Sequence, residues 1–99
     1  MAEWIYFLHA PRESFAATMS DDERATFARH FGYLQELLAG GSLVLAGPTL
    51  GEHNTGIAVF EAPDEAAARG VMDADPAIAS GLMRGELRPF RVSLLRGRE

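Results

Sequence analysis

Ser20-Asp21-Asp22-Glu23 opens a stretch that runs through Phe27, His30, Leu34 and Leu37 to Gly40-Gly41, and its reading decides the fold. Ser20 as N-cap accepts a hydrogen bond from the third helical amide, and Glu23 reaches back to the cap, forming a capping box. The three acids of this first turn complement the positive end of the helix dipole. Phe27, His30, Leu34 and Leu37 fall on one face at about 100° per residue. At Gly40-Gly41 glycine accepts the left-handed backbone that ends a helix, so the spacing predicts a helix over residues 21–39. A helix with a single apolar stripe needs a surface to lie on. The flanking segments supply one.

Before this helix, Trp4-Ile5-Tyr6-Phe7-Leu8-His9 is large and β-prone until Ala10-Pro11 stops it, which predicts a strand apolar on both faces. Residues 12–19 carry Phe15 and Met19 without a clean period and read as a loop with a single helical turn. After the helix, Leu43-Val44-Leu45-Ala46 is a short buried strand ended by Gly47-Pro48. Thr49 to Thr55 is a polar loop, and Gly56 to Glu61 is the antiparallel partner. Pro63-Asp64 opens a second helix that runs through the alanines at 66–68 to about Met72. Asp75-Pro76 starts a short turn that ends near Gly81. The last strand is expected over Glu86 to Leu95, with Phe90, Val92 and Leu94 on one face, and Pro89 marks an edge or a bulge near its start. The order β-α-β-β-α-β defines an α+β, ferredoxin-like unit with two helices on one face of an antiparallel sheet. Strands 4–8, 43–46 and 57–60 are nonetheless apolar on both faces. An uncovered apolar face marks an interface, and the simplest cover is a second copy, sheet against sheet. A homodimer is therefore expected.

The chain's 99 residues suit one domain spanning 1–99, and 47% apolar with 23% charged residues is ordinary globular composition. The net charge of −5 argues against nucleic acid as a partner. The uncharged run from Gly40 to Gly51 is too short for a membrane span of about 20 residues. No basic region followed by an apolar run marks a signal peptide, so the cytoplasm is the expected setting. Zero cysteines exclude disulfides, thiolate nucleophiles and thiolate metal sites. All nine basic residues are Arg, which removes lysine Schiff-base chemistry. Several of these arginines gather in the segment Arg84 to Arg98, which reads as a solvated strand face or, if it binds anything, a seat for carboxylate or phosphate.

His30 lies on the apolar stripe of the long helix. It is either a packed core histidine with one partner or a general base on a rigid element beside a pocket. His9 ends the first strand and is either a sheet-edge residue or a pocket polar group. His53, with Asn54 at a loop tip, reads as solvated. The three histidines form no i, i+2 or i, i+4 pair, so no metal site is expected. Asp75 before Pro76 fits a helix N-cap, while Gly47-Pro48 is a turn whose glycine allows backbone to approach a ligand.

The series His30-Phe31-Gly32-Tyr33-Leu34-Gln35-Glu36-Leu37, then Gly41, then Leu45-Ala46-Gly47-Pro48, resembles the histidine helix and Gly-Pro turn of the YCII-related (YciI-like) family. Asp75-Pro76 with Gly81-Leu82 is similar to that family's second signature. The resemblance runs from about Trp4 to Phe90. It implies a dimeric α+β barrel of ferredoxin-like subunits, with His30 and Asp75 as the paired active-site residues and no cofactor. It further implies lyase or dehydrohalogenase chemistry on small hydroxylated rings. Ala77 departs from the pattern, which has Phe or Tyr there, and the missing ring is expected to open or reshape the pocket wall.

The function expected on these grounds is a cofactor-free small-molecule enzyme doing elimination or proton transfer with His30 and Asp75, and with His9, Gly47 and Pro48 around the substrate. Two alternatives stand beside it. One is a non-catalytic dimeric binding or accessory module, and the other a heme or quinol monooxygenase of the dimeric α+β barrel type.

Overall fold

A computed structural model describes residues 2–97. The elements are β1 (Ala2–His9), α1 (Phe15–Thr18), α2 (Asp21–Ala39), β2 (Leu43–Pro48), β3 (Thr55–Ala62), α3 (Glu65–Ala74), α4 (Pro76–Ala79) and β4 (Arg84–Phe90). The long helix begins and ends where its sequence signals lie. The Glu23 amide donates to Ser20 Oγ at 3.2 Å, and the Ser20 amide donates to Glu23 Oε1 at 2.8 Å. Gly40 stays right-handed and the left-handed step falls on Gly41, with φ at 86°. The single helical turn expected within residues 12–19 is α1.

The sheet has four strands in the order β2-β3-β1-β4, and every neighbouring pair is antiparallel. This is the ferredoxin-like arrangement expected from the element order. Two strands differ from expectation. Gly47 and Pro48 continue β2 rather than ending it, opposite Ile57 and Gly56. β2 is an edge strand, where proline's missing N–H breaks no ladder bond on the open side. β4 starts earlier than expected, with Arg84 opposite His9, and stops at Phe90 opposite Glu3. β1 begins at Ala2, so it offers no described residue for a strand that continues beyond Arg91, and Leu95 makes only an isolated bridge. The alternation at Phe90, Val92 and Leu94 is therefore not that of a strand, and the Val92 amide donates instead to Glu3 Oε1 at 2.9 Å. Pro89 does lie on an edge strand.

Alternation along the strands sends Trp4, Tyr6, Leu8, Ala58 and Phe60 towards the helices, where they pack with Phe15, Leu34, Ala68, Met72 and Ala77. Phe15, within the segment that shows no period, is almost wholly buried. The opposite face carries Ile5, Phe7, Ile57 and Val59 on the central strands. Ile5 and Val59 are buried there, while Phe7 and Ile57 are half-buried. Arg84, Arg91 and Arg96 are exposed, as a solvated segment requires; Arg98 lies outside the described residues. No helix among the described residues is long and apolar enough to cross a membrane.

Candidate active site

Asp75 sits where two helices meet. It is the C-cap of α3 and the N-cap of α4, and it is fully buried. Its carboxylate gathers donors from three elements. His30 Nδ1, on α2, lies 2.7 Å from Oδ1 and 2.8 Å from Oδ2. The Tyr6 hydroxyl, on β1, donates to Oδ2 at 2.7 Å, and the Ala77 amide donates to Oδ1 at 2.9 Å. Capping a helix and holding the histidine are therefore simultaneous roles of one side chain. Burial of such a carboxylate is tolerable because its lone pairs are met by donors.

A carboxylate only accepts, so this geometry assigns the ring proton to Nδ1 and leaves Nε2 as the free nitrogen of neutral His30. His30 itself is 5% exposed and packs against Phe27, with ring centroids 5.0 Å apart. Burial, and then the charge of Asp75, push the Tyr6 phenol well above its ordinary value. It stays protonated, hence a permanent donor. Tyr33, also raised mainly by burial, donates to the Val71 carbonyl at 2.7 Å and ties α2 to α3.

His30 faces a cavity of about 550 Å³ between α2, β2 and the 49–55 loop. That volume lies within the range of ligand sites. Met19, Leu34, Leu43 and Met83 form much of its wall, and Gly47 and Pro48 line it as well. The loop is fixed to the segment around α1: the Ser14 amide donates to the Glu52 carbonyl at 2.7 Å, and the Ala16 amide to Asn54 Oδ1 at 3.0 Å. Among the described residues no protein group bonds His30 Nε2, and no buried side-chain nitrogen or oxygen lacks a partner. Nε2 is thus open to the cavity.

The other expected site residues divide. His9 is not brought to this cavity. Its Nε2 lies 2.9 Å from Glu86 Oε1 at the sheet edge, beside a smaller cleft of about 220 Å³ shared with Arg12 and His53. His9, and then Arg88, hold the Glu86 carboxyl below its usual value. His53 is exposed, as its loop-tip position implies. Ala77 does not line the cavity either. It is fully buried in the core and is not among the described residues that line the cavity. Tyr6 is the site residue that motif reading passed over. A tyrosine alternating with Trp4 and Leu8 on a buried strand face needs a partner for its hydroxyl, and that requirement was the available signal. No group of three or more His, Cys, Asp or Glu residues able to hold a metal occurs among the described residues.

The four-stranded antiparallel sheet with its helices makes this a small α+β protein of ferredoxin-like fold, with a buried His–Asp pair beside an apolar cavity. Residues 4–91 match the YCII-related domain, and the chain belongs to that family. No curated protein matches it. Among solved structures it is similar to the 5-chloro-2-hydroxyhydroquinone dehydrochlorinase of Burkholderia phenoliruptrix, seen in complex with 2,5-dihydroxybenzoquinone. The TM-score is 0.67 at 21% identity, covering 92% of this chain and 94% of the other, a likeness of fold.

Proposed function

We propose that the chain is a cofactor-independent small-molecule enzyme of the elimination or proton-transfer type, in which His30 moves the proton and Asp75 orients it. The observation that carries this reading is the buried Nδ1–carboxylate contact on one side of the ring and the open cavity on the other. Asp75 fixes the tautomer and stabilises the imidazolium that forms when Nε2 takes a proton. The electron pair left on the substrate expels a leaving group as an anion, and the imidazolium later returns its proton to solvent, so the net loss is HX. Gly47 and Pro48 wall the cavity; His9 serves the sheet edge.

The structural neighbour's named reaction suggests the first assay, chloride release from 5-chloro-2-hydroxyhydroquinone. His30→Asn is expected to lower that rate by at least about 100-fold, the scale of a lost general base, while circular dichroism stays native. Undiminished turnover in a folded His30→Asn chain would overturn the proposal and favour the non-catalytic binding module. Added heme is expected to leave its Soret band unshifted; a shift would favour the monooxygenase reading.

The same reading takes the working form to be a cytoplasmic homodimer packed through the sheet face opposite the helices. Ile5, Phe7, Ile57 and Val59 lie on that face, and Phe7 and Ile57 are half-buried in the single chain. Such an interface should bury more than about 1,500 Å² in total. Light scattering of dilute protein is then expected to give twice 10.7 kDa. A folded monomer at micromolar concentration would refute it.

A further inference from the structure

Among the described residues, no Asp, Glu, Lys or Arg lines the cavity at His30. Its polar side chains are also few, and two of them, Thr49 and Asn54, are already engaged. Thr49 Oγ1 donates to the His53 carbonyl at 2.8 Å and accepts from the Thr55 amide at 2.9 Å. Asn54 accepts from the Ala16 amide and donates to the carbonyls of Thr49 and Gly51. That leaves His30 Nε2 inside and the Gln35 amide at the exposed rim. The rim is otherwise apolar. Phe31, Leu38, Leu45 and Leu50 line this cavity and are 58%, 59%, 42% and 87% exposed. An apolar mouth leading to one inward-facing hydrogen-bonding nitrogen is a selective environment, because a carboxylate or phosphate entering it would lose water and meet no guanidinium among the described lining residues.

Volume adds a second constraint. A cavity of about 150 Å³ suffices for benzene. The present one, about 550 Å³, leaves a single ring loosely held and much apolar wall uncovered. We propose that this cavity selects an uncharged, mostly apolar molecule larger than one six-membered ring, anchored by one hydroxyl at His30 Nε2. The inference rests on the proposed function in taking Nε2 to face the ligand. It departs from the neighbour's ligand, which is a single ring.

Calorimetric titration of the whole protein at pH 7 with phenol, 2-naphthol and 6-hydroxy-2-naphthoate tests both constraints. The second ring buries additional apolar surface, so 2-naphthol should bind at least about tenfold more tightly than phenol. The naphthoate should bind at least about tenfold more weakly than 2-naphthol, its carboxylate being unpaired. Gln35→Arg, on an exposed rim position, should narrow that second gap by about fivefold or more through a charge-assisted hydrogen bond. Equal affinity for phenol and 2-naphthol overturns the size argument, and an unpenalised naphthoate or an ineffective Gln35→Arg overturns the charge argument. Absence of binding by all three, with Leu38 and Leu50 covered in a dimer, would make the cavity a subunit contact and overturn both. The catalytic reading fails separately: the predicted order of affinities without any His30-dependent turnover leaves the selectivity standing and removes only the enzyme.

Discussion

Asp75 is held by His30, Tyr6 and the Ala77 amide, and each of those groups donates to it. Asp75→Asn would turn one acceptor into an NH₂, which His30 Nδ1 or the Tyr6 oxygen could accept only by giving up its own donation. The expected loss is about 2–4 kcal/mol in urea unfolding, near the upper range for a disrupted buried polar network. Tyr6→Phe removes one donor and keeps the ring, and should cost about 1–1.5 kcal/mol. A Tyr6→Phe loss equal to that of Asp75→Asn would place the stabilisation in the phenol rather than in the carboxylate. At this scale the sequence was informative about identities and silent about their convergence. Asp-Pro marked a helix cap and the apolar stripe marked His30, but a separation of 45 residues closes to 2.7 Å only through the packing of α2 on α4. Tyr6 was hidden differently: one polar atom on an otherwise apolar strand carries no period.

Elements with their own start and stop chemistry were the most legible. The capping box of α2 makes Ser20→Ala worth about 0.5–2 kcal/mol, a fall of several degrees in Tm for a chain of this size. An unchanged Tm would mean that the cap contributes nothing to the folded state. Glu23 of the same box also meets Arg12, whose Nη1 and Nη2 lie 2.8 Å from its oxygens. The Arg12 guanidinium, followed by the Ser20 amide, holds the Glu23 carboxyl at about 2 against 4.5 unperturbed. A folded value below the unfolded one stabilises the native state fully above pH 4.5 and is lost as pH falls towards 2. Glu23→Gln should therefore flatten the acid limb of stability against pH between those values, and added salt should shrink the difference. An acid limb identical to that of the parent would show that Glu23 makes no such contribution. β4 was less legible, because a strand's end depends on where its neighbour ends, and the alternating residues after Phe90 continue past the first residue of β1.

For the molecule as a whole, the order of elements was enough to give the ferredoxin-like arrangement, since short antiparallel connections and two crossing helices admit few topologies. The size of the cavity was not legible. It depends on how the 49–55 loop is pinned to α1 through Asn54, a contact between segments with no periodic signal of their own. Asn54→Ala should therefore loosen the loop, raising amide exchange across 49–55 while the exchange of β1 and β3 is unchanged. Unchanged exchange in the loop would place its anchor elsewhere. The junction at Asp75 also shapes how this chain can diverge. Because that side chain ends one helix, begins the next and is sealed in the core, a descendant without the proposed reaction would still be held to the aspartate by the need to fold. The histidine is under no such obligation, since its loss leaves Asp75 with Tyr6 and the Ala77 amide. Across related chains, then, the aspartate should mark inheritance of the architecture, and the histidine the persistence of the proposed chemistry.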